Sequence, residues 1–386
     1  MLTDAIVVGL GAMGSATLYQ LARRRARVLG IDRFRPPHDR GSSHGETRIT
    51  RQAIGEGEEY VPFVLRSHEI WRELEADTGD ALLFQVGGLL LGRTGSAAEH
   101  HGQADFIART IDAARHRHIP HEILDAREVE RRFPQLRLQG DETGYYEPGA
   151  GFVRPERCVA TQLDRARALG ADAHTDETVV RIAPRASEVE IVTDRGTYTA
   201  GHVVVSAGAW LPSLLGGAFA TTLRVYRQVL CWFAPDEPSA FAPGTFPIFI
   251  WIHGAGPAGY FYGLPMVSTG VKLATEQFRE TTAPDRVVRE VSPAEIASLY
   301  ATHVRGRIVG VGERCVRAET CLYTVTADSR FLIDRHPDSE RIIVASPCSG
   351  HGFKHSAAIG EAIAELVLAG KSRLDLAPFS RARLSA

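Results

Sequence analysis

The first 32 residues follow a fixed order of apolar, glycine-rich and helical stretches. An apolar run from Ala5 to Val8 predicts a buried strand. A helical pattern then continues through Arg25, and a second apolar run from Arg27 to Ile31 predicts a second strand. Between the first strand and the helix lie Gly9, Gly11 and Gly14. This order is that of a strand, turn, helix and strand unit.

The glycines and an acidic residue give this unit a binding function. Gly9 permits a tight turn, Gly11 lets the backbone approach a pyrophosphate, and Gly14 lets the helix pack on the strand. The helix N-terminus favours phosphate groups. Asp32, which follows the second strand, is positioned to accept hydrogen bonds from a ribose. The unit therefore predicts a bound dinucleotide, either NAD or FAD.

Length and composition narrow the remaining possibilities. A chain of 386 residues is long enough for two connected domains. A formal net charge of -2 argues against a nucleic-acid binder. No apolar run reaches the ~20 residues that span a bilayer, and the first strand begins too early for a signal peptide. We therefore expect a cytoplasmic protein with no membrane partner.

Cysteine and histidine spacing gives no metal signal. The 5 cysteines lack metal-site spacing, and their odd number fits reduced thiols. His116, His118 and His121 stand without a carboxylate or cysteine framework. We expect a polar loop there and no metal site.

Periodicity along the chain predicts an α/β fold, α+β overall. Helices are predicted at 60–76, 103–114, 125–132, 292–303 and 356–369. Strands are predicted at 82–91, within 179–209, in much of 223–278, and in FLIDRHP and RIIVASPC near the end. We expect a discontinuous Rossmann-like nucleotide domain formed by 1–85, 148–218 and 322–386. A β-rich substrate domain is expected at 86–147 and 219–321.

Four separated motifs carry a more specific signal. They are GSSHGETRITR at 41–51, YGLP…GVK ending at Lys272, CLYTVTADSRFLID at 321–334 and SGHGFK at 349–354. With these motifs the chain resembles, over nearly its whole length, the monomeric sarcosine oxidase and N-methyltryptophan oxidase family. These are FAD-dependent amine oxidases of the D-amino-acid oxidase superfamily.

The resemblance implies that FAD is bound covalently. In the family, the cysteine at the position of Cys321 is bonded through sulfur to the 8α carbon of the flavin. Nearby cations would favour the thiolate form of such a cysteine. Cys315 is the competing candidate, but it lacks the following Leu-Tyr-Thr. The other expected cofactor contacts are Gly9, Gly11, Gly14, Asp32, Ser43, Gly350, Gly352 and Lys354.

The resemblance also assigns the substrate side. Arg51 and Lys354 match the pair that holds a substrate carboxylate, which suits an arginine fork and a lysine point charge. Considered alone, Arg51 could be a surface charge and Lys354 an exposed helix end. However, a lysine beside a helix N-terminus is unfavourable without an anion. Tyr262 and Tyr323 are expected to line the substrate cavity, and as ordinary core tyrosines each would need only one hydroxyl partner.

Three further residues are expected to act in catalysis. The lysine at the position of Lys272 lies against the flavin in the family and accelerates the reaction with oxygen, although spacing alone favours a solvent-facing strand lysine. Arg48 and His44 match residues near the flavin ring, where they could stabilise negative charge. Alternatively, either residue ties down the glycine-rich loop by hydrogen bonds.

The sequence departs from the family pattern at a few positions. Glu276 stands where the sarcosine-type pattern has a histidine, Ala327 replaces a proline, and Ser-Pro-Cys at 346–348 precedes SGHGFK. The change at Glu276 alters the expected charge of the substrate cavity. It therefore leaves the identity of the amine more open than the type of reaction.

These features together predict oxidation of a secondary, N-methyl amino acid such as sarcosine by O2 in a monomeric enzyme. The products would be the primary amino acid, formaldehyde and hydrogen peroxide. The alternatives are an oxidase of N-methyltryptophan, a cyclic imino acid or a glycated amino acid, an NAD-dependent dehydrogenase, and a catalytically silent flavin-binding subunit.

Overall fold

We describe the fold from a computed structural model, which describes residues 3–93, 100–255 and 259–385. The helices are α1 (Ala12–Arg23), α2 (Val61–Thr78), α3 (Phe106–His116), α4 (Ala126–Arg132), α5 (Pro155–Ala168), α6 (Leu211–Leu215), α7 (Gly217–Thr222), α8 (Pro293–Leu299) and α9 (Ser356–Ala369). The strands are β1 (Thr3–Val8), β2 (Val28–Ile31), β3 (Arg48–Thr50), β4 (Leu83–Gln85), β5 (Gly88–Gly92), β6 (Glu122–Leu124), β7 (Thr143–Glu147), β8 (Gly151–Val153), β9 (Asp172–His174), β10 (Val179–Pro184), β11 (Val189–Thr193), β12 (Thr197–Val205), β13 (Arg224–Pro235), β14 (Ile248–Ile252), β15 (Tyr260–Leu264), β16 (Val271–Ala274), β17 (Val311–Val325), β18 (Leu332–His336) and β19 (Ser339–Ser346). Within these described ranges, no helix has the length and apolar character needed to cross a membrane.

The first sheet has a parallel centre in the order β9-β2-β1-β12-β19. The antiparallel strands β11 and β18 join it at β12 and β19, and β10 pairs with β11. Because parallel strands are buried on both faces, the four residues of β2 and the last four of β1 are all buried. The carboxyl ends of β1 and β2 therefore face the same edge of the sheet, where ligands of open α/β sheets bind.

Helices α1 and α9 cover one face of this sheet and pack closely on each other. Gly360 in α9 faces Ala16 in α1, where a Cβ on the glycine would lie 2.5 Å from the alanine Cβ. The contact joins the first and last helices of the nucleotide region. The mixed α/β fold is thereby confirmed, whereas the exact domain boundaries stay a prediction.

The second sheet is mostly antiparallel, in the order β17-β13-β16-β15-β14-β5-β7-β6. Its longest pair joins β13 to β17, with Tyr226 opposite Tyr323 and Gln228 opposite Cys321. A third, small sheet has the order β3-β8-β4. Strands β15, β16 and β17, which carry Tyr262, Lys272 and Tyr323, all belong to this second sheet.

Three predicted elements are divided in the structure. The run 82–91 forms β4 and β5 in two different sheets, because the chain turns at Gly87 with φ +80°. The run LPMVSTGVKLAT is not one strand, since β15 ends at Leu264 and β16 begins at Val271. The helix predicted at 292–303 becomes α8 followed by a π-helical turn, Tyr300–Val304. Hydrophobic periodicity continues through these turns and so does not reveal them.

Candidate active site

A cavity of about 450 Å³ runs along the carboxyl edge of the first sheet. At one end it is lined by Asp32 and His38, and at the other by Tyr323, Gly350 and Phe353. Its lining combines the amino-terminal unit with residues near the end of the chain. Such a cavity has the position expected for a dinucleotide site.

The glycines of the turn fit this cavity for different steric reasons. Gly9 has φ +85°, and a Cβ there would lie 2.7 Å from the carbonyl oxygen of Ser206. A Cβ on Gly14 would lie only 1.7 Å from the carbonyl oxygen of Gly9. By contrast, a Cβ on Gly11 would meet only Ser43 Oγ, at 3.5 Å. Gly14 therefore serves packing, while Gly11 faces the cavity.

Asp32 and Ser43 hydrogen-bond to the backbone at the start of α1. The carboxylate of Asp32 accepts the backbone N–H groups of Leu10 and Phe34 at 2.6 and 2.7 Å. Burial raises the pKa of this carboxyl group against those hydrogen bonds. Ser43 Oγ accepts the N–H of Ala12 at 3.2 Å, at the first residue of α1. Both side chains line the cavity.

Cys321 lies on β17 directly behind the cavity wall. It is 1% exposed, and its Sγ is 3.4 Å from Nη2 of Arg48. Arg48 and Ser42, which contact Cys321, both line the cavity. Cys315 lies six residues away on the same strand, which corresponds to about 20 Å, and its thiol donates to the carbonyl of Arg317. The cavity is therefore adjacent to Cys321 and far from Cys315.

A smaller chamber of about 70 Å³ adjoins this cavity. Arg48, Tyr323, Gly350 and Phe353 line both spaces. The remaining chamber residues include Arg51, Glu56, His100, His101, Tyr262, Lys272, Glu276, His351 and Lys354. The chamber therefore meets the cavity at residues from both halves of the chain.

Arg51 and Lys354 are buried in the chamber wall, with 5% and 4% exposure, which excludes the surface alternatives for both. Arg51 donates to Glu56 Oε2 at 2.6 Å and to the carbonyl of Ala53 at 2.7 Å. Lys354 donates to the carbonyl of His351 at 2.8 Å. Burial lowers the pKa of Lys354 to about 7, aided by Arg51 and opposed by Glu56.

Lys272 is also buried rather than solvent-facing, at 2% exposure. Its Nζ donates to the carbonyls of Gly45 and Thr47, each at 2.8 Å, and lies 5.4 Å from the ring centroid of Trp232. Burial lowers its pKa well below the ordinary lysine value, and the charge of Arg48 adds to this shift. The two carbonyls hold the amino group at the chamber wall.

The other predicted site residues differ in their placement. Tyr262 on β15 and Tyr323 on β17 both line the chamber, whereas Gly352 lines only the larger cavity. His44 is 4% exposed but lines neither space, and its Nδ1 lies 3.5 Å from Glu319 Oε2. The structure therefore places His44 beside β17 and away from both spaces.

Glu56 and His101 are chamber residues that the sequence analysis missed. His101 Nδ1 lies 3.0 Å from Glu56 Oε1, and its Nε2 lies 3.0 Å from Glu276 Oε2. Against the effect of burial, Glu276 and Glu56 raise the pKa of His101 to about 9. The motif at 41–51 ends five residues before Glu56 and is the only motif close to it in the sequence. None of the four motifs contains His101.

Glu56, His101 and His351 form a group with metal-like spacing, because their ligand atoms all lie within 4.8 Å of one another. Arg51 and Lys354 carry positive charge beside the same carboxylate. A divalent cation at this position would have to overcome both charges.

Comparisons with known proteins agree with this geometry. The profile of the family described as "FAD dependent oxidoreductase" matches residues 4–366. The chain is 39% identical to a monomeric sarcosine oxidase of Streptomyces avermitilis, over 99% of this chain and 98% of that protein. It is 34% identical to an N-methyl-L-tryptophan oxidase of Yersinia pestis, over 98% of this chain and 99% of that protein.

A solved structure extends the likeness to three dimensions. NikD, described as an unusual amino acid oxidase essential for nikkomycin biosynthesis, superposes with a TM-score of 0.84 at 25% identity. The match covers 98% of this chain and 97% of that chain.

Proposed function

Because this chain belongs to the FAD-dependent oxidoreductase family, we propose that it oxidises a small secondary amino acid, such as sarcosine, with O2. The products are the primary amino acid, formaldehyde and hydrogen peroxide. One observation carries the proposal: a buried arginine and a buried lysine, Arg51 and Lys354, share a small chamber that meets the dinucleotide cavity. The family match also assigns FAD rather than NAD as the dinucleotide.

The cavity residues fit FAD. The turn at Gly9 and Gly11, the N-terminus of α1 and Asp32 suit a pyrophosphate and ribose. Bound FAD would supply the two-electron redox chemistry that links the substrate to oxygen. We further propose that Cys321 anchors it through a thioether bond, because its sulfur lies directly behind the cavity wall, 3.4 Å from Nη2 of the cavity-lining Arg48.

Arg51 and Lys354 bind the substrate carboxylate. Of the five N–H donors of a guanidinium, Arg51 uses two for Ala53 and Glu56, which fix its plane. The remaining donors and the free N–H groups of Lys354 are available to a carboxylate. Arg51 is thus held in place before the substrate arrives, which reduces the entropy lost on binding.

The chamber volume bears on the identity of the amine. At about 70 Å³, the chamber is small beside the adjoining cavity of about 450 Å³, and a space of this size favours a small amino acid. This observation supports a sarcosine-sized substrate over N-methyltryptophan or a glycated amino acid.

Oxidation requires a neutral amine, since only the neutral nitrogen has a lone pair to release. Arg48, Arg51 and Lys354 line the chamber, and their positive charge favours loss of the ammonium proton once the substrate is bound. Lys272 lines the same chamber as Arg48, and two backbone carbonyls hold its amino group in place. There it is positioned to stabilise the negative charge that develops on O2 as it is reduced.

The test is peroxide release from the purified holoenzyme across a panel of sarcosine, proline, N-methyltryptophan and a glycated amino acid. We expect sarcosine or another small secondary amine to give the highest kcat/KM. If no secondary amine releases peroxide, the proposal fails and a silent flavin-binding subunit becomes the better description. Gel filtration tests the proposed monomer, and the cytoplasmic location stays a prediction.

A further inference from the structure

Glu276 lines the chamber, but its negative charge has no role in binding a substrate carboxylate through Arg51 and Lys354. It follows β16 by two residues and is buried, with 6% exposure. A Cβ on Gly350 would lie 3.2 Å from its Oε1, so the carboxylate faces the edge where the chamber meets the cavity. A buried carboxylate at such a site requires a partner.

One oxygen of Glu276 is fully engaged by the protein. Its Oε2 accepts the hydroxyl of Tyr260 and lies 3.0 Å from His101 Nε2. His101 also contacts Glu56, which in turn pairs with Arg51. These contacts form a buried chain of four side chains with alternating charge, in the order Arg51, Glu56, His101 and Glu276. Arg51 and His101 are its two cations.

Among the described residues, 3–93, 100–255 and 259–385, the other oxygen of Glu276, Oε1, has no hydrogen-bond donor from a side chain or the backbone. The chamber therefore offers Arg51 and Lys354 to an anion and one open carboxylate oxygen to a cation. This arrangement is complementary to a zwitterion with its charges on adjacent groups.

We propose that Glu276 Oε1 binds the ammonium nitrogen of the substrate, so that the chamber selects zwitterionic amino acids over carboxylates of the same shape. Tyr260 and His101 are positioning residues that direct this oxygen into the chamber. The inference rests on the proposed function for its catalytic meaning, but ligand binding alone tests it.

Binding at Glu276 also provides a route to the neutral amine. The ammonium proton moves from nitrogen to Oε1, which leaves a neutral amine and a protonated carboxyl group. No charge is created in the step, because one positive and one negative group are neutralised together.

The experiment compares glycine with propionate, in which a methyl group replaces the ammonium group. Calorimetric titration of the anaerobic holoenzyme at pH 6, where Lys354 with its pKa of about 7 is still charged, measures both affinities without turnover. In Glu276→Gln we expect glycine affinity to fall about tenfold or more, as for the loss of a charged hydrogen bond, while propionate affinity changes less than twofold. Glu280→Gln, an exposed carboxylate on the same segment, should change neither.

A second variant, Tyr260→Phe, tests the proposal even if Glu276→Gln does not fold. Tyr260→Phe keeps the Glu276 carboxylate but removes one donor to Oε2, so we expect a smaller loss of glycine affinity and none for propionate. If both ligands weaken equally in each variant, or if neither changes, the ammonium site does not exist.

Two further outcomes are distinct. If no amine is oxidised but Glu276→Gln still abolishes the preference for glycine, the ammonium site stands and the proposed function falls. If elemental analysis of the holoenzyme finds one divalent ion per chain, lost in His351→Ala, then His101 is a metal ligand and the proposal is overturned.

Discussion

The dinucleotide unit and the substrate chamber are built in opposite ways. The unit lies within residues 3–32, and its main contacts join neighbours such as Gly9 and Gly14. The chamber combines Arg51, His101, Glu276 and Lys354, which come from four distant segments. Steric fit controls the first region, whereas charge balance controls the second. A substitution should therefore act through packing in one region and through electrostatics in the other.

The largest effect is expected from Gly14→Ala. Its Cβ would lie 1.7 Å from the carbonyl oxygen of Gly9, and two backbones cannot separate without moving α1 from β1. We expect loss of bound FAD and destabilisation of about 3 kcal/mol, measured by cofactor content and thermal unfolding. Gly11→Ala is the matched control for thermal unfolding, since its Cβ meets only Ser43 Oγ at 3.5 Å. Equal destabilisation of the fold in both variants would contradict a packing role for Gly14.

Cys321→Ser tests the place where the two regions meet. We expect the yellow colour to be lost entirely from acid-precipitated, washed protein, because no thioether can form. In Cys315→Ser the colour should remain with the chain, since Cys315 lies about 20 Å along the strand. Colour that survives in Cys321→Ser would exclude Cys321 as the attachment site.

Lys272→Met keeps most of the side-chain volume and removes the amino group. We expect oxygen-dependent reoxidation of the substrate-reduced enzyme to slow about 100-fold, while anaerobic reduction by substrate changes little. Because burial lowers the pKa of Lys272, the wild-type reoxidation rate should fall with rising pH earlier than for an ordinary lysine. Stopped-flow absorbance measures both half-reactions, and equal slowing of the two would contradict a role in oxygen reaction.

The smallest effect concerns Lys354 and pH. Its pKa is lowered to about 7, so it is charged below pH 7 and loses its charge above. Propionate binding should therefore weaken several-fold between pH 6 and 8.5. Lys354→Met should bind propionate weakly and with little pH dependence, as titration of the holoenzyme can show. An unchanged pH dependence in this variant would assign it to another group.

The contrast between the regions also explains what could be predicted from the sequence. The mixed α/β fold follows from local periodicity and from the glycine turn. The division of 82–91 into β4 and β5 was missed, because a positive φ at Gly87 does not interrupt the apolar pattern. The pairing of Glu56 with Arg51 and the bridge through His101 depend on contacts between distant segments, which periodicity does not encode. Glu276 was noticed only as a departure from a family pattern.

Strand β17 carries Cys321 and Tyr323 on one face, since residues two apart on a strand point the same way. Arg48, which touches the cysteine sulfur, comes from a segment 273 positions earlier in the chain. The sulfur therefore acquires its guanidinium neighbour only after both ends of the polypeptide have assembled. If Cys321 is the attachment site, the covalent bond to the flavin forms only in correctly folded molecules. A chain that has not yet folded can still release its flavin and bind it again later.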